Sequence, residues 1–171
     1  MISTPLRSSL LRMNLSAITV ILIALWGVPA LAQQIAFGGI RGDSTAPVEI
    51  TADTLTVDQT TGIATFAGNV LIGQGEMRLS AAEVLVEYGE TTSDISKLRA
   101  SGGVTLVSGA EAAEAQEAVY TLKDSLVVMT GDVLLTQGQN IMAGQSLTVN
   151  LTTGTGNMAG RVRTVLQPGS N

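Results

Sequence analysis

The residues of this chain that could do chemistry are mainly carboxylates. Asp53 and Asp58 lie five positions apart, and Glu111, Glu114 and Glu117 form a short acidic run. Grouped carboxylates can act as a general acid and base or bind Ca²⁺. However, no loop in this sequence has the spacing of metal ligands. We interpret Asp53 and Asp58 as corner and turn residues and the three glutamates as solvent-facing.

The composition excludes most other kinds of active site. After residue 32 the chain contains no His, Cys or Trp, and its aromatic residues are Phe37, Phe66, Tyr88 and Tyr120. Without imidazole or thiol groups there is no histidine acid–base catalysis, no cysteine nucleophile and none of the usual zinc ligand sets. We therefore expect a protein that is not an enzyme, with no catalytic residue, no metal site and no cofactor.

Residues 1–32 predict a cleavable secretory signal peptide. Arg7 and Arg12 precede an uncharged apolar stretch, and Ala30-Leu31-Ala32 supplies a small-residue cleavage site before Gln33. An uncleaved membrane anchor is the alternative, because the 17-residue stretch 15–31 is at the lower limit for spanning a bilayer. Residues 33–47 contain several glycines and Pro47, and they predict a flexible lead-in.

The charge of the chain beyond the leader argues against a nucleic-acid partner. The leader holds two of the nine basic residues and no acidic one, so seven basic residues remain against fourteen acidic ones, a net charge of −7. Such a chain is a poor ligand for a phosphate backbone. The sequence has no cysteine, so burial alone must hold a fold of one domain.

Gly-x-Val units recur along the chain and define a repeat. They begin at Gly68, Gly102, Gly131 and Gly160, at spacings of 34, 29 and 29 residues. A fixed period of this length indicates stacked supersecondary units, here about four two-strand repeats of 29 residues. One five-residue insertion lies within residues 88–97.

Apolar residues alternate with polar ones in both strands of each repeat, which predicts an all-β antiparallel sheet with one buried face. The first strand slips by one residue near its middle, as at Asp53-Thr54, so we expect a bend or bulge there. The central glycine of the second strand indicates a bulge, a bend or a close backbone approach. Residues 110–118 have a helix-like composition, but their place in the repeat predicts a strand.

The phase of the alternation assigns the residues that should line the interior. This interior is either an ordinary packed core or a groove for a long apolar ligand, because few bulky aromatic side chains fill it. Thr65, Asn69, Arg99 and Thr130 should face outward. The residues assigned to the interior are Ile50, Leu55, Val57, Phe66, Val70, Ile72, Leu79, Val84, Leu98, Val104, Leu106, Met129, Val133, Leu135, Leu147 and Val149.

The sequence of residues 47–166 resembles the OstA-like domain family, and within it the periplasmic lipopolysaccharide-transport members. The resemblance rests on Pro47-Val48-Glu49-Ile50-Thr51-Ala52-Asp53-Thr54-Leu55-Thr56-Val57-Asp58, on Gly62-x-Ala64-x-Phe66-x-Gly68-Asn69-Val70, on Gly131-Asp132-Val133 and on Met142-Ala143-Gly144-Gln145-Ser146-Leu147. It implies an open, slightly twisted β-jellyroll at residues 48–166, followed by a tail at 167–171. It also implies that the apolar groove binds lipid acyl chains.

The same resemblance implies a function and partners. The protein would be a periplasmic carrier and bridge component that passes lipopolysaccharide toward the outer membrane. Its partners would be lipopolysaccharide, an LptC-type protein of the inner membrane, the outer-membrane translocon and further copies joined head to tail. The alternatives are a membrane-anchored, LptC-like member of the same pathway and a structural exported β-repeat scaffold with a closed core. A polysaccharide-lyase type of enzyme is a third alternative, and the absence of histidine and the scarcity of aromatic residues argue against it.

An open stack of strands leaves an unpaired edge at each end. We expect these edges near residues 48–57 and 161–166, with Val48, Ile50, Val162 and Thr164 as interaction residues. Pairing of one molecule's last strand with the next molecule's first strand would build an open filament. Pro47, Arg161 and Arg163 offer the alternative that these edges are protected against such pairing.

Overall fold

The computed structural model describes residues 35–36, 40–89 and 94–166, which form one 11-stranded antiparallel sheet. The predicted leader and tail lie outside the described residues. The strands are β1 (Ile35–Ala36), β2 (Glu49–Thr51), β3 (Thr54–Asp58), β4 (Ile63–Gln74), β5 (Met77–Tyr88), β6 (Ile95–Ser108), β7 (Glu111–Thr121), β8 (Leu126–Gln137), β9 (Asn140–Asn150), β10 (Thr155–Ala159) and β11 (Arg163–Val165).

The sheet is a meander in which each long strand pairs with the next one in sequence. Its order is β1-β10-β9-β8-β7-β6-β5-β4-β2, with β3 also paired to β4 and β11 also paired to β9. β2 and β3 lie against different halves of β4, and β10 and β11 lie against different halves of β9. The long strands are therefore divided into two halves, and the sheet has two layers.

We call the two sets of half-strands layer 1 and layer 2. Layer 1 contains β2, β11 and residues 70–74, 77–81, 104–108, 111–115, 133–137 and 140–144. Layer 2 contains β1, β3, β10 and residues 63–67, 83–88, 95–101, 117–121, 126–130 and 146–150. The inner faces of both layers belong to one apolar cluster, so the fold is an open antiparallel β-jellyroll.

The boundary between the layers is a line of β-bulges at the repeated glycines. Gly68, Gly102, Gly131 and Gly160 have φ angles of +79°, +82°, +86° and +81°, and pairing registers shift beside the first three of them. The residue after each of these glycines also has positive φ, between +46° and +87°. Two successive positive φ angles turn the strand sharply, which confirms the bulge predicted from the repeat.

Close contact with the preceding strand adds a second reason for glycine at these positions. A Cβ atom on Gly102 would lie 2.6 Å from the Cβ of Ala82, and one on Gly131 would lie 2.8 Å from the Cβ of Gln116. Gly68 approaches Asp53 and Gly160 approaches Gln145 in the same way. These four neighbours are the residues at which the first strand of each repeat slips in phase.

The structure contains more strands than two per repeat because the outermost strands are broken. The first strand of repeat one is split into β2 and β3 around Ala52–Asp53, and the last strand of repeat four is split into β10 and β11. β1 was not predicted at all. Residues 110–118 fall almost wholly in strand β7, as the repeat predicted and against their helix-favouring composition.

The predicted flexible lead-in is packed against the jellyroll over residues 40–47, which corrects that prediction. Ile40 is fully buried in the apolar cluster, and the backbone N–H of Gly42 donates to the carbonyl of Leu151. The glycines and Pro47 do mark an irregular segment without a strand. However, composition does not show that distant side chains hydrogen-bond to its backbone.

Replacing Gly102 by alanine should lower the free energy of unfolding of the protein. The new methyl group would meet Ala82 at 2.6 Å, and the φ angle of +82° disfavours a side chain. We expect a loss of about 3 kcal/mol in the free energy of unfolding, measured by urea denaturation.

The matched control for this substitution is Gly103→Asn, one residue further along. Gly103 also has positive φ, but a Cβ atom there would meet no atom within 4 Å. Asparagine occupies the equivalent position 69 at φ +46°, so we expect a change within about 1 kcal/mol. Equal losses from the two variants would show that the contact with Ala82 is unimportant.

Candidate functional site

The candidate site is the apolar interior between layers 1 and 2. Because the two layers meet only through side chains there, their inner faces set what the interior can hold. The residues assigned to the interior from sequence that are almost fully buried are Val70, Ile72, Leu79, Val84, Leu98, Val104, Leu106, Met129, Val133, Leu135, Leu147 and Val149. Ile50 and Phe66 are partly buried against the same cluster.

Leu55 and Val57 depart from this pattern. They pair with Phe66 and Ala64, so they lie on the inner face of layer 2. Even so, 55% of Leu55 and 58% of Val57 are exposed, because β3 is at the edge of the described sheet and lacks a neighbour on one side. Leu55 and Val57 therefore lie on the expected face but are not covered by a neighbouring strand in the described sheet.

The outward assignments agree with the structure to different degrees. Asn69, Arg99 and Thr130 are exposed, whereas Thr65 is half-buried. Thr65 lies between β3 and β5, which shield it on both sides. Alternation fixes the face of a side chain, whereas the neighbouring strands fix its exposure.

Some interior residues were missing from the predicted set, among them Val86 and Tyr120, which are buried in the same cluster. Val86 follows the alternation of its assigned neighbour Val84 and could have been found by extending it. Tyr120 was overlooked because the repeat has no aromatic residue at the equivalent positions.

A hydrogen bond between the layers fixes one end of the interior. The hydroxyl of Tyr120 in layer 2 donates to Oε1 of Gln74 in layer 1, at 2.8 Å. Burial raises the pKa of the Tyr120 hydroxyl, so the group stays protonated and keeps its donor. This contact shows directly that the two layers face each other.

The acidic residues considered for chemistry are structural. Asp53 accepts a hydrogen bond from the side chain of Asn69, at 2.8 Å. Asp58 accepts from the backbone N–H groups of Thr60 and Thr61 in a turn, and these hydrogen bonds lower the pKa of the Asp58 carboxyl. Both carboxylates therefore accept local hydrogen bonds, Asp53 at a corner of the sheet and Asp58 in a turn.

Glu111 corrects the prediction that all three glutamates face solvent. Glu114 and Glu117 are exposed, but only 5% of Glu111 is. Its Oε2 accepts from the backbone N–H of Ile40 at 2.9 Å, and its Oε1 accepts from Nε2 of Gln137. Buried carboxylates need such partners, and no pattern in the sequence indicates that the backbone of Ile40, 71 residues away, is the partner of Glu111.

Within the part of the chain that the structure describes, no helix is long and apolar enough to cross a membrane.

Comparisons with known proteins give the family of this chain. Residues 49–155 match the family model described as LptA/(LptD N-terminal domain) LPS transport protein. An uncharacterized protein of Rhizobium meliloti is 32% identical over 143 residues, which is 77% of each chain. The lipopolysaccharide export system protein LptA of Escherichia coli K12 is 28% identical over 124 residues, covering 69% of this chain and 67% of that one.

A solved structure shows the same fold. It is the crystal structure of LptH, the LptA homologous periplasmic component of the lipopolysaccharide transport device of Pseudomonas aeruginosa. The TM-score is 0.67 at 18% sequence identity, and the match covers 74% of this chain and 99% of that one. The family match at residues 49–155 includes the bulges at Gly68, Gly102 and Gly131 and most of the apolar interior, and the chain therefore belongs to the LptA/LptD N-terminal-domain family of LPS transport proteins.

Proposed function

We propose that this protein is a non-enzymatic periplasmic carrier whose interior binds the acyl chains of lipopolysaccharide. One observation carries the proposal beyond family membership. The inner apolar face does not end where the packed interior ends, because Leu55 and Val57 extend it to an uncovered edge. A scaffold with a closed core would be expected to cover its apolar ends, whereas a lipid path needs them open.

Acyl chains would bind by replacing contacts between the two layers. Each buried CH₂ group contributes roughly 0.8 kcal/mol before the loss of chain freedom is subtracted. The two halves of each long strand are joined at a bulge, so separation of the layers about that line would admit a chain without breaking the pairing within either layer. The Val, Leu and Met side chains that now fill the interior would then line the lipid.

The edges of the jellyroll support assembly into a bridge. β2 and β3 form one end, and β11 lies at the other, each paired on one side only within the described sheet. In the proposed bridge, an LptC-type protein would occupy the first end of the series and the outer-membrane translocon the last. Copies between them would pair head to tail, and lipopolysaccharide would pass along the joined interiors toward the outer membrane.

Lipid contact can be tested with a pair of adjacent leucines. Leu135 is fully buried and faces the interior, whereas Leu134 is 37% exposed on the opposite face. A leucine-sized diazirine amino acid at position 135 should crosslink to purified lipopolysaccharide on irradiation, and the same probe at position 134 should not. Crosslinked lipid would be measured by mass spectrometry.

Equal crosslinking at positions 134 and 135 would contradict the interior as the binding site. No crosslinking at position 135, with the protein still folded by circular dichroism, would favour the closed-core scaffold instead.

Head-to-tail assembly should depend on the backbone of β11. Thr164 lies at the middle of this strand, which pairs with β9 through Met142. Proline at position 164 removes a backbone donor and should raise the dissociation constant of self-association about tenfold or more. Light scattering over a range of protein concentrations would measure this.

Thr164→Val is the matched control, because it keeps both the backbone donor and a strand-forming side chain. A chain that stays monomeric at every concentration without any substitution would rule out the bridge while leaving lipid binding intact.

The proposed location requires removal of the leader. Intact-mass measurement of the exported protein should give a chain that begins at Gln33 and fractionates with the periplasm. A mass that retains Trp26 would identify the membrane-anchored, LptC-like alternative.

A further inference from the structure

Residues 40–47 form a segment, here called the strap, that runs along hairpin ends of the jellyroll. The backbone N–H of Ile40 donates to Oε2 of Glu111 at 2.9 Å, and the Ser108 hydroxyl donates to the carbonyl of Arg41 at 2.8 Å. Further along, Nε2 of Gln74 donates to the carbonyl of Ala46 at 3.1 Å. The strap is therefore held mainly through its backbone.

These contacts lie on the side of the jellyroll opposite the bulges. Ser108 and Glu111 flank the β6–β7 turn, and Gln74 ends β4, so all three are at hairpin ends of layer 1. The strap also reaches layer 2, because the N–H of Gly42 donates to the carbonyl of Leu151 at 3.3 Å. The strap thus bridges the two layers. We call this side of the jellyroll, where Gln74, Ser108 and Glu111 of layer 1 face Leu151 at the end of layer 2, the mouth, and the layers would have to separate here.

One side chain anchors the strap in the interior. Ile40 is fully buried and belongs to the apolar cluster, whereas residues 41 and 43–45 are exposed. The strap has no strand pairing of its own within the described residues. An apolar plug and a few hydrogen bonds are weaker restraints than the continuous pairing that holds β4–β9 together.

The strap supplies hydrogen-bond partners to the buried polar residues at the mouth. The buried polar or charged side chains of the described residues are Gln74, Ser108, Glu111 and Ser125, and the first three bond to the strap backbone. The other residues of the buried cluster are hydrophobic. Because a buried polar group without a partner is unfavourable, these three side chains form a site for a polypeptide backbone at the entrance to an apolar interior.

We infer that the strap is an internal gate: Ile40 occupies the lipid-free interior, and acyl chains enter when the strap leaves the mouth. This inference rests on the proposed binding of lipopolysaccharide in the interior. The strap and the acyl chains compete for the same apolar space. Holding the strap in place therefore blocks acyl-chain binding, and loosening the strap favours it. When the strap leaves, Oε2 of Glu111 and Nε2 of Gln74 lose their strap partners and meet water or the polar part of the lipid.

A reversible covalent lock tests the gate. A Cβ atom on Gly42 would lie 3.5 Å from the Cβ of Leu151, which is within the range for a disulfide. The chain has no cysteine of its own, so the double variant Gly42→Cys, Leu151→Cys forms one defined disulfide. Lipopolysaccharide crosslinking from a diazirine at position 135 should fall at least about tenfold in the oxidised form and recover on reduction.

The reduced double variant is the control for the two substitutions themselves. Equal labelling of the oxidised and reduced forms would overturn the gate and leave the proposed function standing. Absence of labelling in the reduced variant and also in the chain without cysteines would overturn the proposed function.

A second variant tests the opposite direction. Ile40→Ser removes the apolar plug and should increase the rate of lipid labelling at position 135. Thr45→Ser is its control, because Thr45 is exposed and bonds only to Asp43 within the strap. A rate for Ile40→Ser equal to that of the control, with both proteins folded, would also overturn the gate.

Discussion

The close approach of a glycine to the corner of the preceding strand is the contact on which the jellyroll depends. At Gly102 and Gly131 this contact leaves no room for a Cβ atom, and residues at the equivalent position of the preceding strand approach Gly68 and Gly160 in the same way. The resulting bulges allow each strand to be long and yet contribute to both layers. Without them the strands would continue straight, and their apolar faces would form one broad exposed surface.

The bulges also explain how the two layers share one interior. The strands that carry the glycine keep one phase of alternation across the bulge, as from Phe66 to Val70. The strands without it restart one residue out of phase at the corner, as from Ala81 to Val84, so that both halves present apolar side chains to the same side. The interior is then filled by aliphatic side chains from opposite layers, such as Val84 and Leu106. Buried polar side chains lie at the mouth of this interior, where their hydrogen-bond partners are the strap backbone, Tyr120 and Gln137.

What could be predicted from sequence was the part governed by the repeat. The spacing of Gly68, Gly102, Gly131 and Gly160 predicted the bulges, and alternation predicted the inner face. The exposure of the β3 side chains could not be predicted, because it depends on whether a second strand lies beside β3, and alternation does not encode this. The burial of Glu111 and the docking of Ile40 depend on a contact across 71 residues, and neither residue type shows it.

The strap also sets an order of events in the making of the protein. Each long strand pairs with the next one in the sequence. Hairpins can therefore form one after another, starting with those nearest the N-terminus, which is synthesised first. The strap emerges before any of these strands, but its contacts with Glu111 and Leu151 come 71 residues later and more than 100 residues later. The strap precedes every long strand in the chain, yet it cannot dock completely until Leu151 has been made.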